Sequence, residues 1–414
     1  MNNYKKAVAS AIAAGSLLIN GFLPVFAQTT IILSGNGSDS DNKADVKVTQ
    51  STFVTQSNNA DVTNKVYADA KTGDNEAEGN TGGDVSIKTG DSDVTVDVAN
   101  TLNQNSASVD CCGSTGADVL ISGNGSDSKN KVDLKLGDEK GVTLDQSNKA
   151  DVYNKVDVDS DTGDNEAEDN TGGNVSVETG DATVNVSLDT TANANSAQIG
   201  GGSQSAGLLS ARILGNGTDS DNKIDLDFGG SLWITQDNDA DVTNKVDVDA
   251  ETGDNEAEDN TGGDVSIETG DADVTVGVDN NVNFNWADAD CGCLLEDVLV
   301  KIAGNGEDTK NEIKADLGQG LTVFQDNDAS TNGGELENEV YADADTGDNE
   351  AEDNTGEPGS DPSIETGDAS TEVMLENSGN SNVFGALPDW DFPESDFDFH
   401  FSFDLSDLLG WLGL

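Results

Sequence analysis

An alternating segment that recurs about every 90 residues constrains this chain more than any other feature. In the copy from Ala240 to Glu251, small, apolar or amide side chains occupy every second position, and charged side chains or Thr stand between them. Equivalent runs begin at Ala60 and Ala150. A period of two is typical of a strand, because a helix would scatter these residues around its circumference. The pattern predicts strands with one buried face and one acidic face.

The predicted buried face carries an amide at the same place in every copy. These residues are Asn64, Asn154, Asn244 and Asn338. A buried amide is costly unless it is hydrogen-bonded, and equivalent Asn side chains can bond to each other along a stack of parallel coils. The sequence therefore predicts an all-β fold, a right-handed parallel β-solenoid built from four repeats of about 90 residues. Tandem Ig-like β-sandwiches are the alternative.

The repeats and their flanking segments divide the chain as follows. A signal peptide (1–27) precedes repeat 1 (28–122), repeat 2 (123–214), repeat 3 (215–303), an atypical capping repeat 4 (304–387) and an aromatic C-terminal tail (388–414). Within a repeat, the Thr-Gly steps at Thr252 and Thr269 lie 17 residues apart. This inner spacing predicts coils of that size, four or five in each repeat. At ~4.8 Å per coil, the rod would be roughly 80 to 100 Å long.

The first residues have the layout of a secretory signal. Lys5 and Lys6 precede an apolar run, and Val25-Phe26-Ala27 offers a cleavage site with a small residue at its end. We therefore expect a secreted protein that is extracellular or on the cell surface. No other stretch is apolar enough to cross a membrane as a helix, so we expect no transmembrane helix in the mature chain.

Four cysteines lie between repeats, in two close pairs. They are Cys111, Cys112, Cys291 and Cys293. In an oxidising compartment they are candidates for disulfides within a pair, across repeats or between molecules, and spacing alone does not decide which. Zinc is the alternative, but the chain has a single histidine and no Cys-x-x-Cys motif.

The chain is strongly acidic, with 81 Asp and Glu against 19 Lys and Arg and a net charge of -62. Such a field repels nucleic acids and attracts cations. The acidic turn Thr252–Gly263, which recurs in each repeat, carries oxygen donors at alternate positions, as suits Ca²⁺. The candidate ligands there are Asp74, Glu76, Glu78, Asp164, Glu166, Glu168, Asp254, Glu256, Glu258, Asp348, Glu350 and Glu352. A solvated acidic face is the alternative.

A second phrase, Gly-x-Gly-x-Asp, occurs once in each repeat, beginning at Gly35, Gly123, Gly215 and Gly304. It resembles a fragment of the calcium-binding nonapeptide of the repeats-in-toxin family, over about five residues per repeat. In that family, calcium lies between successive turns of a parallel β-roll. The resemblance implies Ca²⁺ near Asp39, Asp127, Asp219 and Asp308.

The C-terminal tail differs in composition from the repeats. Its Phe397, Phe399, Phe401 and Phe403 alternate with Asp, His and Ser, and Trp411 lies in a final apolar cluster. One interpretation is a final strand and a short helix that cap the rod. The other is a docking strand for a second copy of this chain or for another surface protein.

Catalysis is not expected, because the chain has one His and one Arg, and near-identical repeats provide no unique cleft. In organisation the chain resembles repeat-built adhesins and surface-layer proteins. This resemblance implies a structural or adhesive role at the cell surface or in the extracellular matrix, with calcium as stabiliser. The alternatives are an acidic cation-buffering or mineral-directing protein, or a stalk of tandem sandwich domains.

Overall fold

The computed structural model describes residues 29–49, 51–109, 117–200, 209–289, 298–329, 335–356 and 361–385. All regular elements in these ranges are strands. In chain order they are β1 (Thr29–Ser34), β2 (Asp41–Val48), β3 (Thr52–Lys71), β4 (Val85–Lys88), β5 (Ser92–Val109), β6 (Ala117–Ser122), β7 (Lys129–Asp161), β8 (Val175–Glu178), β9 (Ala182–Ile199), β10 (Leu209–Leu214), β11 (Asp221–Glu251), β12 (Val265–Glu268), β13 (Ala272–Ala289), β14 (Val298–Ala303), β15 (Lys310–Asp328), β16 (Leu336–Asp345), β17 (Ser363–Glu365) and β18 (Ala369–Phe384). The predicted all-β class is confirmed.

Equivalent strands of successive repeats pair in parallel. Three four-stranded sheets have the orders β1-β6-β10-β14, β4-β8-β12-β17 and β5-β9-β13-β18. In the fourth sheet, β7 and β11 lie at the centre, flanked by β2 and β3 on one side and by β15 and β16 on the other. We call the four stacked segments layer 1 (29–109), layer 2 (117–200), layer 3 (209–289) and layer 4 (298–385). Each layer contributes to all four sheets.

The predicted coil of 17 residues is wrong. Val246 pairs with Val156 and Val340, so its neighbours in the stack lie a whole repeat away. The 17-residue spacing joins two turns of the same layer, because the Thr252 hydroxyl donates a hydrogen bond to the Gly270 carbonyl at 3.0 Å. Three spacings of ~4.8 Å separate layer 1 from layer 4, about 14 Å instead of the predicted rod.

The alternative of tandem Ig-like sandwiches is also wrong. Those domains have antiparallel sheets and a separate core in each unit. Here the strand pairs between layers are parallel, and every sheet runs through all four layers. The repeats therefore share their sheets, and among the described residues no repeat has a sheet of its own.

The core lies between the long strand and the returning strand of each layer. Val246 and Val248 of β11 pack in one cluster with Val276 and Val278 of β13. These residues confirm the predicted alternation, since the inward positions from Ala240 to Ala250 are all buried. Larger aliphatic side chains, which the alternating run did not predict, fill a second cluster at β10 and the start of β11.

The predicted amide stack is confirmed. Asn64 donates to Asn154 at 2.8 Å, Asn154 donates to Asn244 at 2.7 Å, and Asn244 donates to Asn338 at 2.7 Å. Asn154 and Asn244 are fully buried. Asn154 and Asn244 each donate to one neighbouring layer and accept from the other, so their burial leaves them satisfied.

The acidic turn needs glycine at its second position because the layers approach closely there. A Cβ on Gly253 would lie 1.8 Å from the carbonyl oxygen of Gly347 in the next layer. The following residue, Asp254, has a left-handed backbone with φ of 57°. Asp tolerates this conformation better than most residues, which accounts for the Gly-Asp pair in each copy of the turn.

Candidate cation site on the acidic turns

The acidic turn links β11 to β12 and holds its glutamates by anchoring the residue between them. Ala257 is fully buried in a cluster with Ile267 of β12. Glu256 and Glu258 flank this anchor and are only partly buried. The Glu-Ala-Glu order therefore directs both carboxylates away from the core, by the same alternation that operates in a strand.

Register then stacks the glutamates of successive turns. Parallel bridges join Glu76 to Glu166, Glu166 to Glu256, and Glu256 to Glu350. Neighbours in such a column are separated by the strand spacing of ~4.8 Å. The backbone pairing thus holds four glutamates in a row despite the repulsion between their charges.

Among the residues that the structure describes, one acidic trio is compact enough to hold a metal ion. Ligand oxygens of Glu166, Glu168 and Glu256 all lie within 4.8 Å of one another, contributed by layers 2 and 3. Carboxylate oxygens are the donors that Ca²⁺ prefers, with six to eight ligands that include water. Three glutamates and several waters could complete such a shell.

The electrostatics of this surface favour protons or cations. The pKa of Glu168 is raised to about 7, first by its hydrogen bond with Glu166 and then by burial and the nearby glutamates. Burial and then the Asp254 charge raise the pKa of Glu251 to about 7. Burial, followed by Glu256 and other acids, raises the pKa of Glu258. A bound divalent cation would offset the same crowding.

The other predicted ligands of the acidic turns lie in register but form no second trio within the described ranges. Asp164 pairs with Lys71 at 2.6 Å, and Asp254 lies close to Glu251. The remaining positions are Asp74, Glu76, Glu78, Glu258, Asp348, Glu350 and Glu352, which follow the same columns. Of the twelve predicted ligands in these turns, the structure brings Glu166, Glu168 and Glu256 together.

The Gly-x-Gly-x-Asp phrases lie at the corner between the first two strands of each layer. Asp39, Asp127, Asp219 and Asp308 are exposed and share a left-handed backbone. The Asp39 amide donates to the Ser126 carbonyl at 2.9 Å, so the phrase is stacked as a turn. The structure gathers no three carboxylates around these four described residues. Their calcium role rests on the resemblance alone.

Several predicted features lie outside the described residues. These are the signal peptide, the cysteines at 111, 112, 291 and 293, and the tail residues Phe397, Phe399, Phe401, Phe403 and Trp411. Their roles stay predictions.

Most of the amide columns were not predicted from the sequence. Besides the predicted one, they start at Asn36, Asn42, Gln56, Asn58, Asn75, Asn80, Asn100, Asn103 and Asn105 in layer 1. Eight of these columns hold Asn or Gln in the next layer, and Asn100 bonds to Thr190. The signal was present, since Asn or Gln recurs at a fixed period in the Gly-Asn-Gly and Gln-x-Asn phrases.

Comparison with known proteins gives no relatives, because no family model, no curated protein and no solved structure matches the chain. Within the ranges that the structure describes, no helix is long and apolar enough to cross a membrane. The functional argument therefore rests on the columns of side chains.

Proposed function

We propose that the chain is a secreted, non-catalytic structural protein whose acidic layer stack is stabilised by divalent cations, with calcium as the natural ion. The observation that carries the proposal is the compact trio of Glu166, Glu168 and Glu256 within a column of stacked glutamates. Its export is supported by the signal-like residues 1–27.

The proposal includes a finer architecture, in which the four layers are successive coils of a right-handed parallel β-solenoid with one repeat per coil. Short connections support it, since β9 ends at Ile199 and the next layer begins with β10 at Leu209. Parallel strands require a crossover between them, and here the rest of the layer serves as that crossover.

A structural role fits the way the layers are joined. Backbone ladders and amide columns run from layer to layer, and in the described residues the Arg212 Nε is the one buried side-chain nitrogen or oxygen without a partner. We expect such a body to resist bending, because backbone pairing joins neighbouring layers in all four sheets. An adhesive role would fall to the C-terminal tail, which we propose as the contact with another surface molecule.

The need for cations follows from the shortage of positive charge on the acidic columns. Lys71 pairs with Asp161 at 3.0 Å and with Asp164 at 2.6 Å. The column Asp69, Asp159, Asp249 and Asp343 contains no lysine. Two like charges 4 Å apart repel by about 1 kcal/mol in bulk water and by more near a protein surface. A divalent ion between layers converts that repulsion into a cross-link.

A calcium titration of thermal unfolding, followed by circular dichroism on the full chain, tests the proposal. At a calcium concentration 100 times the dissociation constant, one site stabilises the folded state by about 2.7 kcal/mol. Magnesium at equal concentration and NaCl at equal ionic strength serve as ion controls. We expect calcium to raise the unfolding temperature more than either control does.

The variant Glu166→Gln, Glu168→Gln, Glu256→Gln removes three charges from the trio. The matched control is Asp93→Asn, Asp97→Asn, Asp273→Asn. It also removes three exposed charges, but these stack on uncharged residues of layer 2, namely Thr183 for Asp93 and Asp273 and Ser187 for Asp97. Each variant is compared with its own metal-free unfolding temperature. The glutamine variant should lose most of the calcium shift and the control should keep it. Equal shifts in both, or a full shift from NaCl alone, would refute the site.

A further inference from the structure

Among the residues that the structure describes, both ends of the layer stack are open. In every sheet the outermost strands belong to layer 1 and layer 4, and each pairs with described strands on one side only. The layer 1 edges include β3 with 20 residues and β5 with 18 residues. Long edge strands present rows of unpaired N–H and C=O groups, which are templates for another chain.

The inner columns are also open at layer 4. Leu375 of β18 is 49% exposed, whereas Val278, its partner in layer 3, is 2% exposed. Leu317 of β15 is 52% exposed, against 8% for its partner Phe228. These side chains are apolar at core positions, and no described residue forms a layer that covers them. A further layer of the same kind would bury them.

We infer that layer 4 of one molecule stacks on layer 1 of a second copy, in parallel register, so that the chain assembles head to tail. This inference rests on the sheet edges and does not depend on the calcium site. Because the contact uses two different surfaces, each added molecule leaves a new open end. Such a contact gives an open filament instead of a closed dimer.

The charges of the two end layers are complementary in this register. The residue of layer 4 in each column would meet the residue of layer 1 in the same column of the next copy. All five lysines of layer 1 would then meet acids, namely Lys43 on Glu312, Lys47 on Asp316, Lys65 on Glu339, Lys71 on Asp345 and Lys88 on Glu365. In the opposite sense, Lys310 and Lys314 of layer 4 meet Asp41 and Asp45. The third layer 4 lysine, Lys301, meets Ile32.

The order of residues within two columns argues for the junction most strongly. Lys43, Lys131 and Lys223 stack as three lysines, and the column changes sign only at Glu312. Lys65, Lys155 and Lys245 likewise end in Glu339. Inside the molecule, these lysines stack on one another along the column, and Lys43, Lys131, Lys155 and Lys223 each pair with the aspartate two positions further along the chain. Across the junction, the first lysine of each column meets the acid that ends it.

The amide columns continue in the same polarity. Asn338 donates to Asn377 of its own layer, and an amide has a second N–H. By the polarity of the column, that N–H would donate to the Oδ1 of Asn64 in the next copy. The glutamine column runs the opposite way, with Gln325 donating to Gln236 at 2.7 Å, so Gln56 of the next copy would donate to Gln325. In both columns a donor meets an acceptor at the junction only when the molecules stack head to tail.

Like charges meet at the junction as well, for example Asp69 on Asp343 and Glu76 on Glu350. The same two columns already stack acid on acid between all neighbouring layers inside the molecule. In these columns, the repulsion between acids at the junction is therefore of the same kind as the repulsion between neighbouring layers within the molecule. Salt should promote assembly, since the Debye length falls to about 8 Å at ~0.15 M ionic strength.

The test uses the full chain at ~0.15 M NaCl, with and without millimolar calcium, examined by sedimentation velocity and electron microscopy. We expect filaments whose fibre diffraction has a meridional reflection at about 4.8 Å and a repeat near 19 Å, which is the height of four layers. A chain that stays monomeric in every condition overturns the inference. That result would be expected if the chain's own residues 386–414 cover layer 4.

The variant Lys43→Glu, Lys47→Glu, Lys65→Glu separates assembly from folding. Inside the molecule these positions lie on Lys131, Lys135 and Lys155, so the substitutions replace like-charged pairs between layers by opposite ones. Lys43→Glu also removes the exposed ion pair with Asp45 at 3.1 Å, which is a small loss. Across the junction they place acid on Glu312, Asp316 and Glu339. We expect the unfolding temperature to be maintained or raised and the filaments to be lost. Filaments equal to those of the parent chain would overturn the inference.

A complementary chain carries Glu312→Lys, Asp316→Lys and Glu339→Lys in layer 4. Alone it should not assemble, because lysine would meet lysine at each junction. Mixed with the layer 1 variant in equal amounts, it should restore filaments of alternating composition, since each junction then pairs opposite charges. If the layer 4 variant does not fold, the loss or retention of filaments in the layer 1 variant still tests the stacking of layer 4 on layer 1.

Discussion

The two faces of the long strand β11 follow the same geometry with opposite energetic results. On the inner face, Asn244 lies between Asn154 and Asn338 at hydrogen-bonding distance. On the outer face, Asp249 lies between Asp159 and Asp343 in the same register. An amide donates and accepts, so its column satisfies itself, whereas an ionised carboxylate only accepts and its column accumulates charge. In-register repetition amplifies whatever chemistry a position carries.

The most severe way to break both columns is to disturb the register on which they depend. In Gly253→Ala, the new Cβ would lie 1.8 Å from the Gly347 carbonyl oxygen, so the backbone must shift. We expect a loss of about 3 kcal/mol in the free energy of unfolding, the upper range for overpacking. Chemical denaturation monitored by circular dichroism measures it.

Gly229→Ala is the matched control for this substitution. A Cβ at Gly229 meets nothing within 4 Å, and its φ lies outside the left-handed region. We expect a change within about 0.5 kcal/mol, as for an ordinary surface substitution. Similar losses in the two variants would show that close stacking of the acidic turns does not determine stability.

The inner column can be tested alone with Asn154→Leu, which keeps the side-chain size. The substitution removes the acceptor for Asn64, at 2.8 Å, and the donor to Asn244, at 2.7 Å. A buried polar group left without a partner costs about 1–3 kcal/mol, so we expect a loss of about 2 kcal/mol. A neutral or stabilising result would mean that the amide column adds nothing over an apolar core.

The outer counterpart, Asp159→Asn on the neighbouring strand, should have the opposite sign. Its side chain stacks between Asp69 and Asp249, and its pKa is raised by partial burial and then by the nearby charges of Asp69 and Asp161. Replacing it by an amide should stabilise the metal-free chain by about 0.5 kcal/mol, because exposed charge interactions are small. Measured in the same denaturation assay, the pair of variants contrasts the two faces directly.

Local patterns were enough to predict the strands, their faces and one amide column. The alternation from Ala240 to Ala250 reports which side chains point inward, and that depends on neighbouring residues alone. An Asn recurs at the inward position of Asn244 in every repeat, and these buried amides can be hydrogen-bonded if the repeats are stacked. These inferences concern features that period-two geometry determines, so they hold in the structure.

The size of a layer could not be predicted in the same way. Two Thr-Gly steps 17 residues apart read as successive coils, but they are turns that face each other within one layer. Only the pairing of distant strands distinguishes successive coils from facing turns of one layer. The spacing in the sequence does not show which turn accepts the hydrogen bond of the threonine hydroxyl. The trio of Glu166, Glu168 and Glu256 was hidden for the same reason, since it combines residues of two layers.

The dependence of stability on pH tests the acidic face as a whole. The pKa values of Glu168 and Glu251 are raised to about 7 in the folded chain, from an ordinary value of 4.5. Between these two values the folded state binds more protons than the unfolded state, so the free energy of unfolding falls as the pH rises through this window. In metal-free buffer, the chain should therefore have a higher denaturation midpoint at pH 5 than at pH 8.

Two further measurements attribute that slope to the stacked acids. Glu251→Gln should flatten the profile, because one of the groups with a raised pKa is removed. Salt near 1 M, where the Debye length is about 3 Å, should also flatten it by screening the carboxylates from each other. A midpoint that is equal or higher at pH 8 would contradict the view that the outer columns oppose folding. The contrast between the inner and outer faces would then be one of composition without an energetic difference.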